Sequence, residues 1–401
     1  MAKSNPHFPK LRREYIFPII EKKLFDLREK HPSAEIINVG IGDVSLPLAP
    51  SIAKAINLAT IEMTDPSSLK GYGPSEGYTF LRKAIAENDY KELSITWDEV
   101  FISDGINSDI ANISELFHPK SVVAIPNPSY PVYLDANILA GRKVILMPCL
   151  EATGCLPTIP QEKVDVIYLC SPSNPTGVAM TRKELSAFVE YARANQSVII
   201  YDNAYSAFIT SPDVPSSIYE IPLAKEVAIE FCSFSKSAGF TGLRCGFTVI
   251  PKELQVFHGK KARPLWNLWR KRQSIKSNGV SYPIQRGALS IYSKEGKEET
   301  SSQVKSYLDS AKAFYEGLIN LGYTCYGGIN APYVWWKVPA PYSSWEFFDL
   351  LLNKCQLIAI PGCGFGEYGE GFIRLSAFTK LEHVHTALER IQKLDLHGKK
   401  S

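Results

Sequence analysis

Asp165-Val166-Ile167-Tyr168-Leu169-Cys170, then Thr181-Arg182-Lys183-Glu184, then Ser197-Val198-Ile199-Ile200-Tyr201-Asp202: these three stretches decide the fold. The first and third are short β-rich runs without clean polar alternation, the pattern of strands covered on both faces. Between them Thr181 and Glu184 form a capping box, and Leu185, Phe188, Val189 and Ala192 follow at helical spacing. Strand, helix and strand in that order predict a parallel pair joined by a crossover helix. Further candidate strands are Val100–Ser103, Ser121–Pro126, Lys143–Met147, Ala228–Ser233 and Gly246–Ile250. Together they predict an α/β fold with a mainly parallel, doubly wound sheet.

The chain has 401 residues, 45% hydrophobic and 21% charged, which is an ordinary globular composition. That length suits two or three domains and a large core that needs no disulfide or metal staple, so no metal site is expected. A net charge of +3 gives no case for a nucleic-acid surface. Lys260-Lys261-Ala262-Arg263, with Trp266, Trp269, Arg270, Lys271 and Arg272 behind it, is a basic and aromatic mixture. Without a second basic cluster, a helix with a solvated basic face and inward tryptophans is the better reading. Eight cysteines show no Cys-x-x-Cys pair, and Cys170 and Cys232 sit in apolar strand-like runs. A reduced, cytoplasmic protein is expected. Residues 1–15 are polar with no apolar signal core, and no apolar run is long enough to span a membrane, so no membrane partner is expected.

Ile275 to Leu388 reads as a smaller, helix-rich α+β unit. It contains a long helix from Ser301 to Leu321, stopped by Gly322, and a strand at Tyr333–Val338.

The chemistry gathers around Lys236 in Ser233-Phe234-Ser235-Lys236, with Gly239, Gly242 and Arg244 behind it. Upstream stand Asn174-Pro175-Thr176-Gly177 and Tyr201-Asp202-Asn203-Ala204-Tyr205. A lysine can close a Schiff base with a cofactor aldehyde, and an acid can hold a pyridine nitrogen protonated. Hydroxyls and an arginine can hold a phosphate. That set spells a pyridoxal-phosphate site. Asp104-Gly105, Asn174, Asp202 and the Ser233–Lys236 segment all follow the carboxyl ends of strands, the edge at which open α/β sheets bind ligands. Each residue alone has a plainer reading. Ser-x-Ser-Lys is a surface lysine, Asp202 a turn or helix cap, Asn-Pro-Thr-Gly a turn, and Tyr130 a core tyrosine in a proline-rich turn. Arg374, between Ile373 and Leu375 in a short strand, is costly to bury unless a bound carboxylate or an internal salt bridge pairs with it.

With Asn38-Val39-Gly40-Ile41-Gly42-Asp43, Gly71-Tyr72-Gly73, Ser103-Asp104-Gly105, Asn127-Pro128-Ser129-Tyr130-Pro131-Val132-Tyr133 and Asn278-Gly279-Val280-Ser281-Tyr282, these motifs carry a family likeness. From Tyr15 to about Leu388 the chain resembles the fold-type I, pyridoxal-phosphate-dependent aminotransferases. More narrowly it resembles the LL-diaminopimelate aminotransferase family. The resemblance implies a large cofactor-binding domain, 45–274, with a sandwiched, mainly parallel sheet. Residues 1–44 would join 275–401 in the smaller domain. Lys236 would be the Schiff-base lysine and general base, with Asp202 on the pyridine nitrogen and Asn174 and Tyr205 on the phenolic oxygen. Tyr130 would stack on the cofactor ring. Ser233, Ser235, Arg244 and the backbone at Gly105, Ile106 and Asn107 would hold the phosphate. Arg374 would bind the substrate α-carboxylate, with Tyr15, Gly40, Tyr72, Tyr130, Asn174 and Asn278 also near the substrate. Tyr72 and Asn278 would come from the neighbouring subunit of a homodimer with shared sites.

The implied reaction interconverts LL-2,6-diaminopimelate and 2-oxoglutarate with tetrahydrodipicolinate and glutamate, in the synthesis of lysine and peptidoglycan precursors. Two departures stand out. The family usually reads Gly-Tyr-Gly-x-Glu-x-Gly, with the glutamate facing the distal ammonium. Here Gly71-Tyr72-Gly73-Pro74-Ser75-Glu76-Gly77 displaces the acid by one position, leaving open whether Ser75 or Glu76 meets that group. Ile106-Asn107 replaces a common Ala-Lys. Rival readings are an aminotransferase for aspartate, alanine or aromatic amino acids, a lyase or decarboxylase on the same scaffold, and a transcription regulator. The last would need a DNA-binding domain ahead of Gly40, where only about forty residues stand.

Overall fold

The computed structural model describes residues 2–11, 16–394 and 396. Its central sheet has seven strands: β1 (Val100–Ser103), β2 (Val122–Asn127), β3 (Lys143–Pro148), β4 (Val166–Cys170), β5 (Val198–Asp202), β6 (Ala228–Ser233) and β7 (Gly246–Val249). Every strand end lies within one residue of the sequence expectation. The spatial order is β1-β7-β6-β5-β4-β2-β3. The four contacts from β3 to β6 are parallel. Only β7 runs antiparallel to its neighbours β1 and β6. Since β7 opposes both, β1 points the same way as β6, and six carboxyl ends share one edge of the sheet.

Alternation explains why the strands looked uniformly apolar. Val166, Tyr168, Val198 and Ile200 face one core, while Ile167, Leu169, Ile199 and Tyr201 face the other. Both faces are buried, so no polar face is needed. The crossover helix is Arg182–Asn195. The Thr181 side chain accepts from the Glu184 N–H, and the Glu184 carboxylate accepts from the Thr181 N–H at 2.7 Å. Its inward stripe is Leu185, Phe188, Val189 and Ala192.

A second core surrounds a four-stranded antiparallel sheet ordered Cys325–Gly327, Tyr333–Lys337, Phe372–Ser376, Ile360–Pro361. The helix Ile16–Lys30 adds Ile20 and Leu27 to it, and Ile37–Asn38 pairs in parallel with Leu357–Ile358. The helix Tyr282–Ser290, by contrast, places Ala288 in the core of the seven-stranded sheet.

Two sequence expectations need correction. The long helix runs Lys294–Asn320 and starts well before Ser301, because Ser293 accepts the Gly296 N–H at 3.0 Å and caps it there. Its first turns carry charge rather than apolar periodicity, so the pattern hid them. The basic segment is not one helix. Gln255–His258 and Lys261–Pro264 form an antiparallel hairpin turning at Gly259 (φ +61°), and helix begins only at Leu265. The tryptophans do pack inward: Trp269 is fully buried, with the Arg272 guanidinium 5.5 Å from its ring centre. No helix among the described residues is long and apolar enough to cross a membrane.

The two cores meet backbone to backbone at two glycines. Gly177 (φ +68°) lies so close to the small sheet that a Cβ there would stand 2.1 Å from the Tyr333 carbonyl oxygen. A Cβ on Gly327 would stand 2.5 Å from the Thr176 carbonyl oxygen. Gly177→Ala should therefore cost about 2–5 kcal/mol, combining left-handed strain with overpacking. A clearly lowered thermal unfolding midpoint checks this, and an unchanged midpoint would refute the close contact.

Candidate active site

A cavity of about 550 Å³ opens between the carboxyl edge of the large sheet and the small sheet. Its walls include Asp202, Tyr130, Asn174, Lys236, Arg244 and Arg374.

Asp202 ends β5 and is buried. One carboxylate oxygen accepts the Tyr133 hydroxyl at 2.5 Å, and the other accepts the Ala204 N–H at 3.1 Å. Burial pushes its carboxyl up to about 6, against the opposing effect of those two donors. The carboxylate can thus face a protonated ring nitrogen.

Ser233 ends β6 and caps the one-turn helix Phe234–Ser237, its hydroxyl accepting the Ser235 N–H at 3.1 Å. The turn presents Lys236 to the cavity. The Lys236 amine donates to the Gly42 carbonyl at 2.5 Å and lies 4.0 Å from the Asp43 carboxylate. Burial pulls its pKa down to about 8; Asp43 opposes this, while Arg374 and Arg244 add to it. An amine so placed supplies a neutral nucleophile and base near neutral pH.

Arg244 itself has φ +63° and donates to the Thr241 carbonyl at 3.0 Å and the Ser235 hydroxyl at 3.4 Å. Gly105 (φ +110°) makes room for it, since a Cβ there would fall 2.1 Å from an Arg244 terminal nitrogen. The helix Ile106–Asn112 begins at this point. Ile106, Asn107, Ser233, Ser235 and Arg244 line the same cavity, a cluster of hydroxyls and one cation suited to a phosphate. The Tyr130 hydroxyl donates to the Asn107 side-chain oxygen at 3.0 Å.

Arg374 is buried on the strand Phe372–Ser376. It donates to the Asn174 side-chain oxygen and to the Gly40 carbonyl, each at 2.7 Å. Tyr333 and Phe365 present ring faces at 4.6 and 4.7 Å. Among the described residues no carboxylate pairs with it, and its Nε has no partner. The internal salt bridge left open by the sequence is therefore not there. The Tyr205 hydroxyl bonds the Tyr333 hydroxyl at 2.8 Å.

Other expected residues are placed differently. Gly40 acts through its carbonyl on Arg374. Tyr72 is 91% exposed and Asn278 is exposed, and neither lines this cavity. Their loops sit together, because Gly279 packs where a Cβ would be 2.7 Å from the Pro74 carbonyl. The Glu76 carboxylate accepts from Arg270 and from the Ser75 hydroxyl, both at 3.1 Å. Tyr15 lies outside the described residues. Sequence reasoning assigned no role to Tyr133 or Tyr333, although both stand in segments it singled out.

The family model described as "Aminotransferase class I and II" matches residues 34–391. Among solved structures, an L,L-diaminopimelate aminotransferase from Chlamydomonas reinhardtii is 39% identical, with 98% of each chain covered and a TM-score of 0.92. An aromatic aminotransferase from Pyrococcus horikoshii is 26% identical, with 92% of this chain and 98% of that one covered and a TM-score of 0.80. A double mutant of Thermus thermophilus aspartate aminotransferase shares the fold at 20% identity, covering 98% of this chain and 100% of that one, with a TM-score of 0.86.

The lowered pKa of Lys236 can be measured. In cofactor-free protein, reductive methylation at Lys236, followed by peptide mass spectrometry, should rise with a midpoint near pH 8. Asp43→Asn should move that midpoint down, since the carboxylate favours the charged amine. A midpoint near the ordinary lysine value of 10.5 would contradict the burial argument.

Proposed function

Because this chain belongs to the class I and II aminotransferases, we propose that it interconverts LL-2,6-diaminopimelate and 2-oxoglutarate with tetrahydrodipicolinate and glutamate. It is a pyridoxal-phosphate-dependent transaminase. When bound, the cofactor supplies an electron-withdrawing ring that stabilises negative charge at the substrate α-carbon. The donor set of the cavity fits it. Ser233, Ser235 and Arg244, with the backbone at Gly105, Ile106 and Asn107, would hold the phosphate. Asp202 would pair with the ring nitrogen, and Tyr130, Asn174 and Tyr205 would orient the ring.

One observation carries the substrate side: Arg374 is buried with no carboxylate partner among the described residues. A planar guanidinium in that state is a receptor for an α-carboxylate, which it can grip with two parallel hydrogen bonds. A carboxylate so held would present its α-carbon to Lys236, whose neutral amine would take the proton there. Besides Lys236, Arg244 and Arg374, no cationic residue is among the described residues lining the cavity, and the Asp43 carboxylate also lines it. That balance favours a substrate bearing a distal ammonium.

We place Tyr72 and Asn278 in the active site of a neighbouring copy. Leu58, Ile61, Leu69 and Ile275 are all exposed, with Leu69 three residues before Tyr72 and Ile275 three before Asn278, and exposed apolar side chains of that kind support a homodimer. Eight cysteines, none in a disulfide, support our placing the enzyme in the cytoplasm.

Adding LL-diaminopimelate to the cofactor-loaded protein without keto acid should convert the pyridoxal absorbance band to the pyridoxamine band, and 2-oxoglutarate should reverse it. Conversion by glutamate alone would sink the substrate assignment and keep the transaminase. For the shared site, mixing inactive Lys236→Ala with weakened Tyr72→Phe should restore about a quarter of the wild-type rate, because half the symmetric dimers then hold one intact site. No gain over the separate variants would mean that each subunit works alone.

A further inference from the structure

Among the described residues two donors reach the Asp202 carboxylate, the Tyr133 hydroxyl at 2.5 Å and the Ala204 N–H at 3.1 Å. The other titratable groups that act on it, Tyr130 and Tyr205 beside the cavity and Cys170 at the end of β4, are all neutral at neutral pH. Among the described residues no cation offsets the burial of this carboxylate. The Ala204 amide belongs to the backbone two residues on, so among the described residues Tyr133 is the one side chain that donates to the carboxylate.

Tyr133 is itself fixed. It sits in the first turn of the helix Pro131–Leu139, is fully buried, and stacks on Tyr168 with ring centres 5.3 Å apart. Tyr130 packs edge-on at 5.8 Å. Its carbonyl accepts the Asn137 side-chain amide at 2.8 Å. With the ring clamped on both sides, the hydroxyl is held against one Asp202 carboxylate oxygen, with the Cys170 thiol also beside it. A hydrogen bond to a charged, buried acceptor is stronger than a neutral one, and its loss leaves the acceptor uncompensated.

We propose that Tyr133 is a positioning residue that keeps Asp202 ionised and aimed, and so sets how strongly the protein binds a protonated ring nitrogen. It acts through Asp202. The proposal rests on the placement of the cofactor ring nitrogen against Asp202 given above.

The test measures dissociation constants in cofactor-free protein between pH 5.5 and 8.5. The two ligands are pyridoxal phosphate and its analogue with carbon in place of the ring nitrogen. Wild type should prefer the natural cofactor; equal affinities would show that the ring-nitrogen placement, not the role of Tyr133, is wrong. Tyr133→Phe keeps the packing and removes the donor. It should weaken pyridoxal phosphate binding roughly tenfold or more near pH 7.5, as a charge-assisted hydrogen bond predicts, and change analogue binding less than twofold. The acidic fall in cofactor affinity, set in wild type by a carboxyl near 6, should move to higher pH, because a carboxylate losing a donor protonates more readily. In an Asp202→Asn background the Tyr133 change should add little. Equal weakening of both ligands, or full additivity with Asp202→Asn, would reduce Tyr133 to packing and overturn the proposal.

Discussion

Arg374 is a full positive charge taken out of water with no carboxylate paired to it among the described residues, and much of the molecule is arranged to tolerate that. Its hydrogen-bond acceptors come from separate places: Gly40 near the N-terminal strand and Asn174 in the loop after β4. The rings over its faces, Tyr333 and Phe365, belong to the small sheet and to the short helical turn Gly362–Phe365 that follows its edge strand. An uncompensated buried charge costs several kcal/mol, so it persists only where rigid surroundings hold it. Here both cores supply part of the cage. The buried guanidinium is therefore also a group that ties the two halves together.

The same dry environment acts on the other ionisable groups, in opposite directions. Burial raises Asp202 to about 6 and lowers Lys236 to about 8. A carboxylate still ionised at neutral pH and an amine part-neutral there are what proton transfer at a carbon acid requires. Neither value needs a special partner. Desolvation by the two packed cores is the first cause of both, so the packing of the sheet and the reactivity of the site are one fact.

The large sheet was legible because its strands are buried on both sides and punctuated by turns, and because the helix Arg182–Asn195 announces itself with a capping box. Lys236, Asp202 and Asn174 stood out because they follow strand ends in a recognisable series. What was not legible depends on side chains meeting across the fold. Tyr133 looked like one more aromatic in a proline-rich turn, and nothing local says that its hydroxyl reaches Asp202, which follows 69 residues later. Tyr333 read only as a strand residue, though it faces Tyr205 across the junction of the cores. The helix start at Lys294 and the hairpin before Leu265 were missed because charged residues carry no period to read.

The antiparallel strand β7 has a consequence for how the chain is made. Within the sheet β1 pairs with β7 alone, and β7 begins at Gly246. On a ribosome, β2 through β6 can assemble in turn, each finding a neighbour within a short length of newly emerged chain. β1, although synthesised first, must stay unpaired until residue 246 has left the exit tunnel. The Gly105 turn that follows β1 takes its final shape only against Arg244, two residues before that strand. One wall of the active site is thus completed late in synthesis, after the rest of the sheet has closed.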